Sequence, residues 1–592
     1  MEEQAKLILK KCHGLTLAIS TIGGFLATKP KTAVEWRKMH GRISAELEIN
    51  PELRTIKKVL MRSYDGLPYH LKSCFLYMSI FPEDYIIKRR RLVRRWIEEG
   101  YCKEMHGMTA EEVGDTYFDE LLERSMILPG EGVNHHSGKV YSCLLHDIIR
   151  EICMSKAREE NLVFTLEEGC CLSSTEGPIR HLVISSNWKR DEDVFDNMLD
   201  LSHVRSLTVY GEWKPYFISK KMRFLRVLDL DDTLRFRNNH LNGIGQFYHL
   251  RYLSIRNGTY IWYLPNSIGD LSHLQTLDIK GTNILELPTT ITKLHKLQHI
   301  RTTCRYIPAA NEREMFDSRL LERSVGCKLL VADRAELGLN MHDMFNVHRS
   351  LWVHLQNIGT QGVKAPRGTG KLTSLRTLCI VNVTRGHEKV MKDLSSLTQL
   401  CKLDVCFTFI NKENMKKFWS AIAAHNQLRS LTVRGYDREA ESIDGCLGGD
   451  LVPHWMHHLQ SLSKLDLKRS RLNKADDIQT LGDLPNLTVL RLRYYAIVMD
   501  VLHFVGSSFP SLVVLELWVT YKLNHLRFEK DAMPKLELLQ TDEYLDMKGL
   551  QLLTNLKEIQ MDGEGINKMK MQLEDQYAEH PNLKNISLKL FS

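Results

Sequence analysis

The fold of this chain is decided by residues 250–279, LRYLSIRNGTYIWYLPNSIGDLSHLQTLDI. The spacing L-x-x-L-x-L, filled by Leu250, Leu253 and Ile255, returns at residues 274, 277 and 279, which is 24 residues later. In an extended segment successive side chains point to opposite faces, so the last two apolar residues of each row share one face. One such unit cannot bury its leucines alone, and the pattern therefore predicts a stack of similar units.

The same row recurs along most of the chain. Further copies begin at Ile179, Leu225, Leu375, Leu428, Leu462, Leu487 and Leu512. About fifteen rows lie between residues 179 and 588, mostly spaced by about 20 to 28 residues, which is the period of leucine-rich repeats. Each buried leucine contributes roughly 1.5–3 kcal/mol, so three per unit can hold a continuous core. We predict an α/β solenoid, the leucine-rich-repeat horseshoe, over residues 175–592.

The repeats are irregular. The asparagine that often closes a repeat strand is mostly missing, and the period blurs between residues 300 and 372, where residues 351–353 form a degenerate row. We expect an insertion or a loop in that stretch.

Residues that alternate with the leucines are expected to face the concave side, which solenoids use as an extended binding surface. The early candidates are Asp229, Tyr252, Ser254 and Asp278. The late candidates are Arg434, Lys464, Arg491, Arg493 and Trp518. The face therefore changes from acidic to basic and aromatic, and arginine and aromatic side chains are typical interface anchors. We predict a protein ligand for the face as a whole; the alternative for any single residue is a solvated strand position without a ligand.

The composition excludes several classes of protein. The 592 residues are 43% hydrophobic and 26% charged, and a net charge of +8 is small for this length. The 13 cysteines are scattered without a C-x-x-C pair, as in reduced cytosolic proteins. Disulfide scaffolds, collagen-like chains and polytopic membrane proteins are excluded. We expect a cytoplasmic protein, with the nucleus and the plasma-membrane periphery as alternatives, and we interpret the signal-like residues 15–27 as a buried helix.

The first 160 residues lack the leucine period and are predicted to be largely helical. Helices are expected over residues 1–11, 15–27, 33–49, 51–64, 71–80, 89–99, 109–123 and 146–157. Short strands at residues 126–128 and 140–144 are expected to flank a hairpin loop. Several helices followed by a hairpin are typical of a winged-helix module.

A basic run, KRRRLVRR at residues 88–95, lies within this module. Such a run can form a DNA-binding or nuclear-import patch. Because Leu92, Val93 and Trp96 form an apolar stripe at helical spacing, the preferred interpretation is an amphipathic helix with a solvated basic face. A winged-helix nucleic-acid-binding protein and a leucine-rich-repeat scaffold or adaptor remain the alternative functions.

Motifs in the same region resemble those of a known family. Residues 12–18, CHGLTLA, are similar to its GLPLA motif, and residues 63–68, SYDGLP, continue the match. Residues 79–85, SIFPEDY, and 92–100, LVRRWIEEG, are very specific to it. With LHD at residues 145–147 in place of the Met-His-Asp motif, the chain resembles plant NB-ARC leucine-rich-repeat disease resistance proteins of the coiled-coil, non-TIR class, especially cereal members.

The resemblance implies an intracellular receptor of plant immunity. In this family the repeats recognise a pathogen effector or a guarded host protein and restrain a nucleotide switch, which binds ADP at rest and ATP when active. By resemblance, residues 1–48 are the helical remnant of the NB-ARC module, residues 49–160 are its winged-helix subdomain, and residues 175–592 are the repeats. An intramolecular contact between the NB-ARC part and the repeats is also implied.

The resemblance assigns functional residues as well. Nucleotide contacts fall to Leu15, Thr16 and His146, and Leu145, His146 and Asp147 form the switch motif. Thr16 replaces the family's proline and restores a backbone N–H, so the pocket wall is expected to differ. Leu145 replaces methionine with little change of volume.

The phosphate-binding part of such a switch is missing from the sequence. No G-x-x-x-x-G-K-[ST] motif occurs, and the nearest strings, around residues 370–371 and 138–139, lack the leading glycine and the closing Ser or Thr. We therefore expect no ATP hydrolysis, no enzyme activity and no cofactor, weak ADP binding or none, and an N-terminally truncated receptor. A second Met-His-Asp at residues 341–343 is expected to be coincidental, and the two histidines at residues 135–136 predict no metal site.

Overall fold

A computed structural model gives the architecture of the chain. It describes residues 2–12, 61–130, 139–168, 178–198, 200–302, 362–383, 387–407, 412–435, 452–518, 523–541, 545–561, 563–576 and 581–590, with a few single positions before residue 61. The chain divides into two compact units, residues 1–234 with 249–253, and residues 235–248 with 254–592. The predictions for Leu15, Thr16, residues 135–136 and residues 341–343 lie outside the described residues.

The first unit contains the helical module. Its helices are α1 (Glu2–Cys12), α2 (Tyr69–Tyr77), α3 (Arg89–Glu99), α4 (Ala110–Glu123), α5 (Asp147–Glu159) and α6 (Glu192–Met198). A small antiparallel sheet is formed by β1 (Ile87–Lys88), β2 (Leu128–Pro129) and β3 (Ser142–Leu144), in the order β1-β3-β2. Phe75, Trp96 and Phe118 are fully buried in the core between these helices. The predicted helices over residues 1–11, 71–80, 89–99, 109–123 and 146–157 are confirmed within a few residues, and so are the two short strands. The predicted helices over residues 15–27, 33–49 and 51–64 lie mostly outside the described residues.

Helix α4 begins at a capping box. Thr109 Oγ1 accepts the N–H of Glu112 at 3.3 Å, and Glu112 Oε2 accepts the N–H of Thr109 at 2.9 Å. We expect Thr109→Ala to lower the free energy of unfolding by about 1 kcal/mol because the first turn loses this reciprocal pairing. Thr116→Ala, the same substitution at an exposed position of α4, is the control, with an expected change below about 0.5 kcal/mol. Urea unfolding compares them, and equal losses would contradict the capping role.

The first unit also contains the first strands of the repeat sheet. These are β4 (Val163–Leu166), β5 (His181–Ile184), β6 (Ser206–Val209) and β8 (Val227–Asp229), paired in parallel. Between them in sequence, β7 (Gly211–Glu212) pairs with β9 (Thr233–Leu234). Leu182, Leu207 and Leu228 are aligned across β5, β6 and β8 and are fully buried. The predicted inward-facing leucine row is therefore present here.

The remaining strands continue the repeats. They are β10 (Tyr252–Ser254), β11 (Thr276–Asp278), β12 (His299–Arg301), β13 (Val363–Lys364), β14 (Thr377–Asn382), β15 (Lys402–Phe407), β16 (Ser430–Gly435), β17 (Lys464–Lys468), β18 (Val489–Arg493), β19 (Val501–Phe504), β20 (Val514–Trp518), β21 (His525–Phe528), β22 (Leu538–Thr541), β23 (Asp546–Lys548), β24 (Glu558–Met561) and β25 (Ser587–Leu590). Along the main parallel sheet, Leu431, Leu465 and Leu490 are aligned and fully buried. The predicted leucine-rich-repeat solenoid is confirmed.

The strands that flank the irregular stretch are immediate neighbours in the sheet. β12 pairs with β14, placing His299 opposite Thr377, although 78 residues separate them in sequence. Residues 303–361, where an insertion is expected, lie outside the described residues. The domain boundaries at residues 48, 160 and 175 stay predictions.

The other helices and strands of the second unit lie in the connections between successive strands of the main sheet. The helices of the second unit are α7 (His387–Ser395), α8 (Lys412–Ile422), α9 (Ala475–Gly482) and α10 (Gly563–Gln576). β19, β21 and β23 form a second parallel sheet. Within the described ranges, no helix combines the length and the apolar composition that a membrane crossing needs.

Candidate functional site

Helix α3 presents its apolar stripe to the helical core. Leu92, Val93 and Trp96 lie on one side of the helix and are at most 3% exposed. The helix ends at Gly100, whose φ of 88° is the left-handed conformation that glycine adopts without steric strain. The apolar half of α3 is therefore as the sequence predicts.

The basic half of α3 does not face solvent. Its buried members are Arg89, Arg91, Arg94 and Arg95, each at most 5% exposed. The predicted solvated basic face is therefore wrong for these four arginines, although Lys88 and Arg90 are exposed. The reason is that carboxylates meet the buried guanidinium groups, which are costly to bury without a partner. Asp115 and Asp119 of α4, for example, accept hydrogen bonds from Arg89 at 2.6 and 2.5 Å.

Arg91 pairs with Asp229 at the end of β8. Its Nε and Nη2 atoms donate to the two carboxylate oxygens of Asp229, each at 2.9 Å, which is a bidentate pair. Its Nη1 atom donates to the Tyr85 hydroxyl at 2.5 Å and lies 3.3 Å from a carboxylate oxygen of both Asp231 and Asp232. The Tyr85 hydroxyl in turn donates to Asp232 at 2.7 Å. One guanidinium group thus joins α3 to the first repeats at several points.

Arg95, one turn further along α3, completes the arrangement. Its Nη1 atom donates to Asp229 Oδ2 at 2.7 Å, so one carboxylate serves two arginines. Its Nε atom donates to the Tyr77 hydroxyl at 2.8 Å, and its Nη2 atom donates to Thr208 Oγ1 on β6 at 2.6 Å. The side chains of Arg95 and Asp229 are both fully buried. We call Arg91, Arg95 and Asp229, with the side chains that they contact, the Asp229 cluster.

Opposite charges keep the Asp229 cluster ionised. Burial by itself raises the pKa of Asp229, but Arg91 and then Arg95 overcome this, and the pKa is lowered from its usual value. Burial by itself lowers the pKa of Arg91, and Asp229 followed by Asp231 reverse the effect, so that it is raised well above its usual value. At neutral pH the cluster therefore holds two cations around a shared anion in a dry site.

The leucine-repeat pattern predicts that Asp229 faces a ligand, but it does not predict that Arg91 and Arg95 pair with it. In this structure Asp229 is covered by the arginines of α3 and is closed to an external ligand. The signal that could have found the cluster is the pair Arg91 and Arg95, four residues apart on one helix face, together with the acidic segment at residues 229–232. Because 134 residues separate Arg95 from Asp229, neither periodicity nor spacing joins the two signals.

A buried acid and a buried imidazole lie beside the Asp229 cluster. His181 of β5 is 1% exposed; its Nε2 atom lies 2.9 Å from the Tyr101 hydroxyl, and its Nδ1 atom lies 3.6 Å from Glu99 Oε1. Burial raises the pKa of Glu99 to about 7, against the opposing effect of Arg95. Burial, assisted by Arg95, lowers the pKa of His181 well below its usual value. His181 is therefore uncharged near neutral pH, where Glu99 titrates.

The charge of α4 disfavours the nucleic-acid alternative. In a helix-turn-helix pair the second helix reads the major groove, and α4 follows α3 in that position. The acidic residues of α4 are Glu111, Glu112, Asp115, Asp119, Glu120 and Glu123, and the helix contains no lysine or arginine. Such a helix would be repelled by the phosphate backbone, whose neutralisation supplies most of the affinity for DNA.

The predicted switch motif is buried at the start of α5. Leu145, His146 and Asp147 are 6%, 3% and 7% exposed, and His146 caps the helix by accepting the N–H of Ile148 on its Nδ1 atom at 3.2 Å. Leu15 and Thr16 lie outside the described residues, so the described part of the chain does not bring the three nucleotide candidates together. Nor do the described residues contain a group of three or more His, Cys, Asp or Glu arranged to hold a metal ion.

The early candidates on the repeat strands are buried. Tyr252 is 2% exposed, Ser254 is fully buried, and Asp278 is 1% exposed. The Asp278 carboxylate accepts a hydrogen bond from Arg301 of the neighbouring strand at 2.7 Å. With Asp229 covered as well, the acidic part of the predicted binding face is closed to a large ligand in this structure.

The late candidates line the polar face of the sheet, by which we mean the side chains that alternate with the buried leucines on β15–β20. Each arginine there has a carboxylate on a neighbouring strand. Arg434 pairs with Asp404 at 2.8 and 2.9 Å, and Arg491 donates to Glu516 at 2.6 Å. Arg493 pairs in the same way with Asp466. Much of the basic character predicted for this face is therefore neutralised internally.

Two lysines of the polar face differ from the arginines. Lys464 and Lys468 of β17 are half-buried, and no described carboxylate lies within ion-pair distance of either ammonium group. Burial, followed by Arg491, lowers the pKa of Lys464 to about 8. Burial, followed by Arg434, lowers the pKa of Lys468 to about 8 as well. Unlike the arginines, these two lysines of the polar face therefore have no ion-pair partner among the described residues.

Two protein-family models match the chain. Residues 203–315 and 353–586 match the model described as a leucine-rich repeat region. Residues 80–153 match the model described as the winged helix domain of disease resistance proteins, and this segment includes α3, α4 and most of α5. Both matches agree with the elements described above.

Curated relatives are plant disease resistance proteins. The chain is 28% identical to disease resistance protein Pik-2 of Oryza sativa subsp. japonica, covering 95% of this chain and 56% of that protein. It is 26% identical to the probable disease resistance RPP8-like protein 2 of Arabidopsis thaliana, covering 95% of this chain and 58% of that protein. The chain therefore spans little more than half the length of these relatives. Among solved structures, a leucine-rich-repeat protein of Leptospira interrogans is 14% identical with a TM-score of 0.42, over 74% of this chain and 98% of that one.

Proposed function

The chain belongs to the leucine-rich-repeat family, and on that basis we propose that it forms the recognition and restraint part of a plant disease resistance receptor. Its repeats bind a protein, either a pathogen effector or a guarded host protein. Its winged-helix module is held by the first repeats until that protein binds. The relatives, which are disease resistance proteins, support this proposal.

The Asp229 cluster is the observation that carries the proposal. It joins α3 of the winged-helix module to β6 and β8 of the first repeats through buried, charge-assisted hydrogen bonds. Such a contact is lost as a unit because one carboxylate serves both arginines, so moving Asp229 away from α3 breaks all of its charge-assisted hydrogen bonds together. A protein that displaces the first repeats would therefore release the winged-helix module cooperatively.

A chimeric receptor tests the proposal in leaf tissue. Residues 61–592 replace the matching segment of the rice relative, and cell death is scored without any pathogen. We expect the unmodified chimera to stay silent and the Asp229→Ala chimera to cause cell death because α3 has lost its shared carboxylate. Asp232→Ala is the matched control, since Asp232 lies at the edge of the cluster with its side chain 35% exposed. A silent Asp229→Ala chimera that accumulates to the level of the control would contradict the proposed restraint.

Specificity is tested with the same chimera. If the repeats recognise the ligand, the range of pathogen strains that triggers cell death follows residues 178–590 rather than the receptor that supplies the rest of the chain. Weak or absent ADP binding and a cytoplasmic location remain parts of the same proposal. The alternatives, a nucleic-acid-binding protein and a scaffold, are not favoured by the acidic α4 and by the disease resistance match over residues 80–153.

A further inference from the structure

A row of cations crosses the polar face at the carboxyl ends of its strands. In the register of the sheet, Arg434 is opposite Lys468, Lys468 is opposite Arg493, and Arg493 is opposite Trp518. Neighbouring strands are about 4.8 Å apart, so these four side chains follow one another over roughly 14 Å. Lys468 stands at the centre of the three cations, with an indole at one end of the row.

The central lysine is the member of this row that remains open to an anion. Arg434 and Arg493 are held by Asp404 and Asp466, as described above. Lys468 has no described carboxylate within ion-pair distance; the two neighbouring arginines act on it as like charges, and the more distant Asp466 and Asp404 offset them in part. An anion placed over Lys468 would therefore meet the one cation of the row that has no ion-pair partner among the described residues, and it would offset the repulsion from the two arginines.

An exposed aromatic side chain, Tyr494, lies beside Lys468. Tyr494 and Tyr495, directly after β18, are 40% and 37% exposed, and the Lys468 ammonium lies 5.9 Å from the centroid of the Tyr494 ring. Both tyrosines have positive φ values, 53° and 61°, which are uncommon for residues other than glycine. The Tyr494 N–H donates to the Trp518 carbonyl at 2.8 Å, which helps to hold this conformation.

We infer that this part of the polar face is a docking site for an acidic segment of a protein partner, with a carboxylate over Lys468 and an adjacent apolar side chain against Tyr494 and Trp518. The inference rests on the proposed function, in which the repeats bind a protein. Charge complementarity selects the partner, since one uncompensated cation next to aromatic rings matches a carboxylate with an apolar neighbour. A nucleic acid fits less well because a phosphate backbone needs several free cations in succession, and here Asp404 and Asp466 already neutralise the arginines on either side of Lys468.

Fluorescence anisotropy of the full chain with the labelled peptide Glu-Glu-Trp-Glu-Glu tests the inference. We expect saturable binding, weakened at least tenfold by Lys468→Glu, because a favourable contact is replaced by repulsion. Lys530→Glu, the same charge reversal at an exposed lysine of the same unit, is the matched control and is expected to change the affinity less than twofold. Equal weakening by both substitutions, or none by Lys468→Glu, would overturn the inference, as would a 15-base-pair duplex that competes as well as unlabelled peptide.

Acetylation of the unmodified chain provides a measurement that does not depend on a variant. At pH 8 we expect the peptide to slow acetylation of Lys468 at least threefold while Lys530 is unaffected. Equal protection of both lysines, or of neither, would overturn the site. Strain specificity that follows the repeats in the chimera, without peptide protection of Lys468, would refute this inference and leave the proposed function standing.

Discussion

Replacing Asp229 by alanine is expected to destabilise the first unit by about 3–5 kcal/mol, the largest effect that we predict for a single substitution. The substitution removes the carboxylate that Arg91 and Arg95 share at 2.7–2.9 Å. Arg95 is fully buried and would keep hydroxyl partners but lose this anion. Urea unfolding followed by fluorescence, with limited proteolysis of the first unit, measures the loss.

Asp232→Ala is the control that distinguishes the loss of the buried Asp229 carboxylate from the loss of any acidic side chain in this region. Asp232 accepts a hydrogen bond from the Tyr85 hydroxyl at 2.7 Å, but its side chain is 35% exposed, so water can replace the lost contact. We expect a cost of about 1 kcal/mol or less. Similar losses for Asp229→Ala and Asp232→Ala would show that Asp229 is not special to the cluster.

A compensated variant distinguishes charge from packing. Combining Asp229→Leu with Arg95→Met removes the fully buried ion pair while keeping most of the volume, and Arg91 keeps Asp231 and Asp232 as partners. Buried ion pairs can often be replaced by apolar residues at little cost, so we expect most of the stability lost in Asp229→Ala to return. A compensated variant as unstable as Asp229→Ala would mean that the shape of the cluster, rather than its unpaired charge, determines the loss.

The repeat sheet could be predicted from sequence because its determinants are local and periodic. Rows such as Leu462, Leu465 and Leu467 specify both the strand and its buried face, and the strand is found at Lys464–Lys468. The register places Asp404 opposite Thr432, and Arg434, two residues further along β16 on the same face, reaches back to this carboxylate. Asp404 is 5% exposed, and the alternation of apolar and polar residues does not show which charged side chains pair across strands. The charge of the polar face therefore could not be predicted from the arginines alone.

The surroundings of α3 could not be predicted for a different reason. Helical spacing correctly assigns Trp96 to the core, but an amphipathic pattern assumes that water covers the other face. Here the other face meets β5, β6 and β8, which lie more than 80 residues further along the chain. Burial of this second face depends on contacts with residues that are distant in sequence, and the spacing of apolar residues within α3 does not predict such contacts.

Glu99, at the end of α3, is expected to make the stability of the first unit depend on pH. Burial raises the pKa of Glu99 from 4.5 to about 7. Between these values the native state keeps a proton that the unfolded chain releases, so the contribution of Glu99 to stability falls as the pH rises through this window and is constant above it. Glutamine has nearly the same shape and does not ionise. Between pH 5 and pH 8, Glu99→Gln is therefore expected to gain roughly 2–3 kcal/mol of stability relative to the unmodified chain.

Other charged groups near Glu99 also affect the pH dependence of stability in Glu99→Gln and in the unmodified chain. The groups that act on it electrostatically are Arg95, Arg226, Arg205 and Arg251, and His181 lies 3.6 Å away. The pKa of His181 is lowered in the native state, so its titration makes stability rise with pH until the pH reaches the pKa of histidine in the unfolded chain. Because His181 is present in both proteins, this effect largely cancels when the stability of the unmodified chain is subtracted from that of Glu99→Gln. Glu123→Gln, at an exposed position of α4, is the control and is expected to follow the unmodified chain at every pH. Urea midpoints at pH 5, 6, 7 and 8 give the four differences, and parallel curves for Glu99→Gln and the unmodified chain would show that Glu99 is ionised in the native state throughout this range.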